Sequence, residues 1–159
     1  GYKVGLEFIR HLIDLGRVFT FSFRVPSGSV AIPYRIKTGD NKVSISLSVS
    51  SSGGTTYDFI EAPTITGNGT ASPLYNLNRN YKDDNLLTKL FTGATYTPGT
   101  GKIFKGNQSG YGTSPGLAAS GDADPGSGYQ LKPNTEYIIL ITPTSSAFTI
   151  VGELFELGK

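Results

Sequence analysis

Residues 43–50 read VSISLSVS, with Val43, Ile45, Leu47 and Val49 alternating with four serines. A period of two puts the apolar groups on one face and the hydroxyls on the other, the pattern of a strand whose sheet has one buried and one wet face. The neighbouring stretches repeat it. In VFTFSFRV, residues 18–25, Phe19, Phe21, Phe23 and Val25 oppose Thr20, Ser22 and Arg24. Residues 30–37 align Val30, Ile32, Tyr34 and Ile36, and their Pro33 points to an edge or a bulge because proline cannot donate to a ladder. Pro26-Ser27-Gly28, Thr38-Gly39-Asp40-Asn41 and Ser51-Ser52-Gly53-Gly54 supply turns, the last predicted to close a hairpin with the strand that follows.

That following strand has Tyr57 and Phe59 on one face and Thr56, Asp58 and Ile60 on the other, and Asn68-Gly69 marks a turn beyond it. Residues 90–99, LFTGATYTPG, echo residues 59–68, FIEAPTITGN, with Thr64/Thr95 and Thr66/Thr97 in register. Two such units in one small domain predict two facing sheets. Shorter strands are expected at 86–91, 103–104 and 129–131, and YIILI at 137–141 reads as a central strand covered on both sides. Residues 148–155 form the last strand, in which Gly152 marks a bulge or a close approach. The polar, glycine-rich stretch 106–128 is long for a connection and reads as a functional or mobile loop. The predicted fold is all-β, an antiparallel two-sheet β-sandwich of jelly-roll type with long Gly/Ser-rich loops over 18–159, preceded by an N-terminal arm at 1–17.

In the arm, Leu6, Ile9, Leu12, Ile13 and Leu15 recur at spacings of three, four and seven, which suits a short amphipathic helix between Gly5 and Gly16; an extended arm is the alternative. A helix this short needs a surface to lie on. On another subunit it is an assembly device, and on its own domain it covers an edge.

A chain of 159 residues with no cysteine can bury a core without disulfides or thiolate metal sites. A net charge of +2 with 16% charged residues is far from a phosphate-neutralising surface, so nucleic acid is not an expected partner. No run approaches the roughly 20 apolar residues of a membrane helix. Twenty-one glycines and nine prolines fit a turn-rich β domain.

Catalytic chemistry finds little purchase. The single histidine, His11, lies near Asp14 among many serines, but no Gly-x-Ser-x-Gly elbow accompanies it. Asp122, Asp124 and Ser127 offer hard oxygens for Ca²⁺, yet Pro125 breaks an EF-hand spacing and no bidentate glutamate follows. Asp58, Glu61, Asp83 and Asp84 form a glycosidase pair only if two of them flank a sugar at about 5 to 9.5 Å. Asn68-Gly69-Thr70 and Asn107-Gln108-Ser109 fit the glycosylation triplet but read equally as turn chemistry. No catalytic residue, metal or cofactor is assigned. Residues 75–80, YNLNRN, are the most informative polar group: Tyr75 and Leu77 supply area and Asn76, Asn78, Arg79 and Asn80 supply hydrogen bonds to a neighbouring chain, or the asparagines close their own turns.

The order EAPT, GNGT and YNLNRN, then a second Thr-x-Thr unit, then LKPNTEY before a terminal apolar strand, resembles small structural proteins of tailed bacteriophages that decorate or cement the capsid. The resemblance covers about residues 36–155. It implies a non-enzymatic virion protein on the capsid exterior, a homo-oligomer with a trimer favoured, and the major capsid protein as partner. It also implies that Leu6, Phe8, Ile9, Leu12, Tyr75, Asn76, Leu77, Asn78, Arg79 and Asn80 contact the shell or sister subunits. The alternative is a carbohydrate-binding or host-attachment module of a phage tail or fibre, with Tyr81, Tyr96, Tyr111 and Tyr129 stacking on glycan.

Overall fold

The computed structural model describes residues 2–25, 31–51, 55–84, 86–109, 128–143 and 148–158. Among them one helix, α1 (Tyr2–Asp14), precedes the strands β1 (Val18–Val25), β2 (Ile32–Lys37), β3 (Lys42–Ser51), β4 (Thr55–Glu61), β5 (Ile65–Gly67), β6 (Thr70–Ser72), β7 (Tyr75–Asn76), β8 (Lys89–Thr92), β9 (Thr95–Tyr96), β10 (Lys102–Ser109), β11 (Tyr129–Leu131), β12 (Glu136–Pro143) and β13 (Phe148–Gly158). The strand predicted at 86–91 forms only from Lys89, and the one predicted at 103–104 runs on to Ser109, so the first residues of the stretch read as a loop are strand. Residues 110–127 of that stretch, with Tyr111, Asp122, Asp124 and Ser127, lie outside the described residues.

All pairings are antiparallel. One sheet has the order β11-β3-β13-β1-β7 and the other β10-β4-β12-β2-β8-β6. Counted from the two ends of the chain, partners match: β1 pairs β13, β2 pairs β12, β3 pairs β11 and β4 pairs β10. Consecutive long strands therefore alternate between sheets, and the expected hairpin of β3 with β4 does not form. Pro33 lies in β2, an interior strand, but one residue outside its pairing with β8, which starts at Tyr34↔Thr92.

The period of two delivers the core as read wherever side chains are described; those of Val25, Val30 and Val49 lie outside the described residues. Phe19, Phe21, Phe23, Val43, Ile45 and Leu47 from the first sheet and Tyr34, Ile36, Phe59, Tyr137, Ile139 and Ile141 from the second join one buried cluster. Phe23 stacks on Tyr34 across the sheets with ring centroids 3.9 Å apart. Burial there pushes the Tyr34 hydroxyl up to about 12. Gly152 is a close approach rather than a bulge: it pairs with both Phe21 and Leu47 in unbroken register, and a Cβ there would strike the Phe21 ring.

β12 is buried on both faces. Tyr137, Ile139 and Ile141 enter the main cluster, while Ile138 and the half-buried Leu140 join Ile60 and Ala94 in a second one. What covers this outer side is the pair of sequence echoes. They do not seed facing sheets; β5 and β9 pair with each other, Ile65↔Tyr96 and Gly67↔Thr95, with Thr66 Oγ1 3.0 Å from Thr95 Oγ1. Ile65 and Tyr96 pack on the second cluster. Buried Arg35 completes this face, with Nε and Nη2 each 2.7 Å from a carboxylate oxygen of Glu136, Nη1 on Asn68, and its guanidinium 4.6 Å from the Phe91 ring centre.

Ile138→Ala should therefore cost about 2–5 kcal/mol in urea unfolding, as for a residue of the main core. Gly152→Ala should cost about 1–3 kcal/mol through overpacking against Phe21. A loss below about 0.5 kcal/mol at Ile138, no more than an ordinary surface substitution gives, would show that the outer cluster contributes nothing.

Candidate contact surface

The arm is a helix on its own domain. It runs through Gly5 and ends in a Schellman turn, with Gly16 at φ 69°, Gly16 N–H donating to Ile13 O at 2.9 Å and Arg17 N–H to Leu12 O at 2.9 Å. Leu12 is buried against Val18 and Phe155, which are Cα partners on β1 and β13, with Ile9, Ile13 and Leu77 packed around them. The helix thus closes one end of the face that VSISLSVS predicts to be wet. Leu6 is helical, but its side chain lies outside the described residues. Phe8 and Leu15 stay 53% and 47% exposed. They stand seven residues apart, Phe8 on the helix and Leu15 just past its end, where its N–H still donates to His11 O at 3.0 Å. Tyr81, 42% exposed, lies against Gly16, where a Cβ would be 2.6 Å from its ring.

Residues 75–80 lock this end together. Tyr75 and Asn76 form β7 against Thr20 and Phe19, and Leu77 N–H donates to Val18 O at 2.9 Å. Asn76 is 1% exposed: Nδ2 donates to Gly16 O at 3.1 Å and Lys82 O at 3.4 Å, and Oδ1 accepts from Asn78 N–H at 3.0 Å. Asn78 Nδ2 reaches Asp14 O at 3.4 Å, and Asn78 Oδ1 accepts from Asn80 N–H at 3.1 Å. The asparagines therefore close their own turns and cap the helix, and Asn76 has no group to offer a neighbour. Tyr75, 49% exposed, Arg79 and Asn80 face outward. Arg79 Nη1 is 2.6 Å from Asp83 Oδ1, which also accepts Asn76 N–H at 2.9 Å.

A residue that sequence reasoning missed fastens the loop before β8. Glu156, 2% exposed, accepts Asn41 Nδ2 at 2.6 Å, Leu87 N–H at 2.8 Å, Thr88 N–H at 3.1 Å and Thr88 Oγ1 at 2.9 Å. A lone glutamate near the end of an apolar strand carries no sequence signal for this role; its partners are 68 to 115 residues away. The carboxylate spans a β13 residue, the loop before β8 and the β2–β3 turn, and half-encloses a cavity of about 310 Å³ with Arg17, Asp84 and Leu87.

The chemical candidates are dispersed. His11 and Asp14 are exposed on α1, and Glu61 is paired with Lys132 at 2.5 Å. No group of three or more His, Cys, Asp or Glu side chains is placed to hold a metal among the described residues, and no helix among them is long and apolar enough to cross a membrane. Of the tyrosines named for glycan stacking, Tyr96 is half-buried on the outer cluster and Tyr129 packs edge-on against Phe59 and Phe104.

No family model matches the chain, and no curated protein does. A solved structure, that of infectious bursal disease virus Gx strain, is 11% identical over 90% of this chain and 41% of its own, with a TM-score of 0.16. A likeness that low carries no argument about fold or role.

Asn76→Ala removes three hydrogen bonds from a buried site and should cost about 1–3 kcal/mol in urea unfolding, with exchange of the Gly16 and Asn78 region accelerated. The Asp83 carboxyl is held below its usual range, first by the Arg79 guanidinium and then by Asn76 N–H. A depressed folded pKa stabilises above the unfolded carboxylate range, and that contribution is lost as pH falls through the folded value. Thermal melts should show this acid-side loss in the native chain and a smaller one in Asp83→Asn.

Proposed function

We propose that this chain is a non-enzymatic structural protein of a tailed-phage virion, bound to the outside of the assembled capsid and reinforcing it. The observation that carries the reading is a set of exposed apolar side chains, Phe8 on a helix whose other side is fixed to its own domain, Leu15 in the turn that ends it, and Tyr81 from the loop packed on Gly16. Aromatic and aliphatic side chains held on a fixed backbone in water are the raw material of a protein interface. Tyr75, Arg79 and Asn80 border the same end and add polar rim contacts; Leu12, Leu77, Asn76 and Asn78 hold this end in place.

The reading takes the two sheets as the layers of a jelly-roll sandwich. Its support is the strand order, β1-β13-β3-β11 in one sheet and β2-β12-β4-β10 in the other, which arises when the first half of a chain pairs with the second and the ribbon is rolled. Jelly rolls serve both viral shells and lectins, so fold alone does not choose between them. The shell reading is supported by the packing of Tyr96 and Tyr129, two of the four tyrosines proposed for glycan stacking, into the protein, since a sugar site calls for aromatic platforms open to solvent. On a shell, many protomers, trimeric in this reading, each adding a modest interface gain through multivalency.

Capsids stripped of this protein, mixed with it and sedimented, should take it up to a saturating, stoichiometric ratio. Phe8→Glu with Leu15→Glu should lower that uptake at least about tenfold while the fold and its melting temperature hold, since both side chains are exposed. Wild-type protein left as a monomer in the supernatant would contradict the reading.

A further inference from the structure

We infer that the β6 edge of the six-stranded sheet is a docking site for an extended acidic segment of a partner protein, its carboxylates drawn to the outer face by Lys89 and, behind it, Lys37. Lys37 and Lys89 are Cα partners on β2 and β8, so both side chains leave the same face of the sheet directly opposite each other. Like charges in that relation repel. Glu136, opposite Lys37 on its other side, brings no relief, because both of its carboxylate oxygens are held by Arg35. Both lysines are exposed, and among the described residues neither makes an ion pair. Three cations face one carboxylate here, a local excess of positive charge that an incoming anion neutralises.

The surroundings select the kind of anion. Lys89 lines a cavity of about 590 Å³ together with Pro73, Leu74, Leu86, Leu90 and Phe91. Among the described residues β6 pairs only with β8 and stands at the end of the strand order. An added strand can take backbone hydrogen bonds from that edge, place alternate apolar side chains in the cavity and present carboxylates to the lysines. A nucleic acid strand takes no ladder of backbone hydrogen bonds from a sheet edge. Asp83 and Asp84 also line the cavity. Asp83 is neutralised by Arg79, and Asp84 repels acidic residues from its part of the wall, which confines the partner's carboxylates to the Lys37–Lys89 end. The inference does not depend on the capsid reading; under that reading the segment belongs to a shell subunit.

The test is an NMR titration of the intact, isotope-labelled chain with a synthetic peptide alternating glutamate and valine, against a lysine–valine peptide of the same length. The acidic peptide should shift the amides of residues 37, 70–72 and 89, with an affinity that falls as salt is added, and the basic peptide should not. Lys89→Glu turns the like-charge pair into an opposed one, so it should raise the melting temperature while weakening peptide binding about tenfold or more. A lysine with only a structural role would not move these two readouts in opposite directions. The proposal is overturned if the acidic peptide leaves those amides unmoved, if Lys89→Glu binds it as well as the native chain does, or if a single-stranded oligonucleotide perturbs the same residues more strongly. None of these outcomes bears on capsid uptake, so the two readings fail separately.

Discussion

A strand that is apolar on both faces needs two covers, and most of this molecule is arranged around supplying them to β12. The inner cover is the first sheet, whose alternating phenylalanines and aliphatics meet Tyr137, Ile139 and Ile141. The outer cover is built from the short β5–β9 pair, which brings Ile65 and Tyr96 over Ile60 and Ile138. Arg35 is the cost of that second layer. A guanidinium enclosed there is tolerable because a bidentate carboxylate, an asparagine and an aromatic face satisfy it together.

The same economy explains the surface. Residues 75–80 spend their polar groups internally, tying the helix end, β1 and the loop before Asp83 into one unit, and Glu156 does the equivalent for the loop before β8 with four donors. Once those backbones are fixed from within, the side chains left over stand on fixed backbone: Phe8, Leu15, Tyr75 and Tyr81 in water, and Lys37 opposite Lys89. A fixed backbone matters for binding because little loop freedom remains to be lost on contact.

Much of the fold was legible because period two is a strong signal. Phe19, Phe21 and Phe23 of VFTFSFRV and Val43, Ile45 and Leu47 of VSISLSVS are buried as read, though Ser46, read as outward, is buried too, and the unbroken YIILI run announces a strand without a wet side. What the sequence concealed was partnership. The Thr-x-Thr echo reports similar local structure but says nothing about which strand each copy pairs with, and pairing across 30 residues is set by the cluster it covers. Turn residues at 51–54 mark a reversal equally well within a sheet or between sheets. Asn76 carries the same local signal whether it faces a neighbour or its own core, because only the positions of Gly16 and Lys82 decide its burial. The exposed set was half visible: the helical spacing of Ile9, Leu12 and Ile13 identifies a buried side, whereas Tyr81 joins Leu15 only through the close packing at Gly16.

Native-state hydrogen exchange, resolved by residue in the free protein, tests the two-sided clamp on β12 most directly. Amides of Ile138, Ile139, Leu140 and Ile141 should exchange only through global unfolding and be the slowest in the chain, with β5 and β9 opening at lower free energy above them. If those β12 amides exchanged by local opening, faster than the β1 and β13 amides, the strand would not be the element on which the other layers depend.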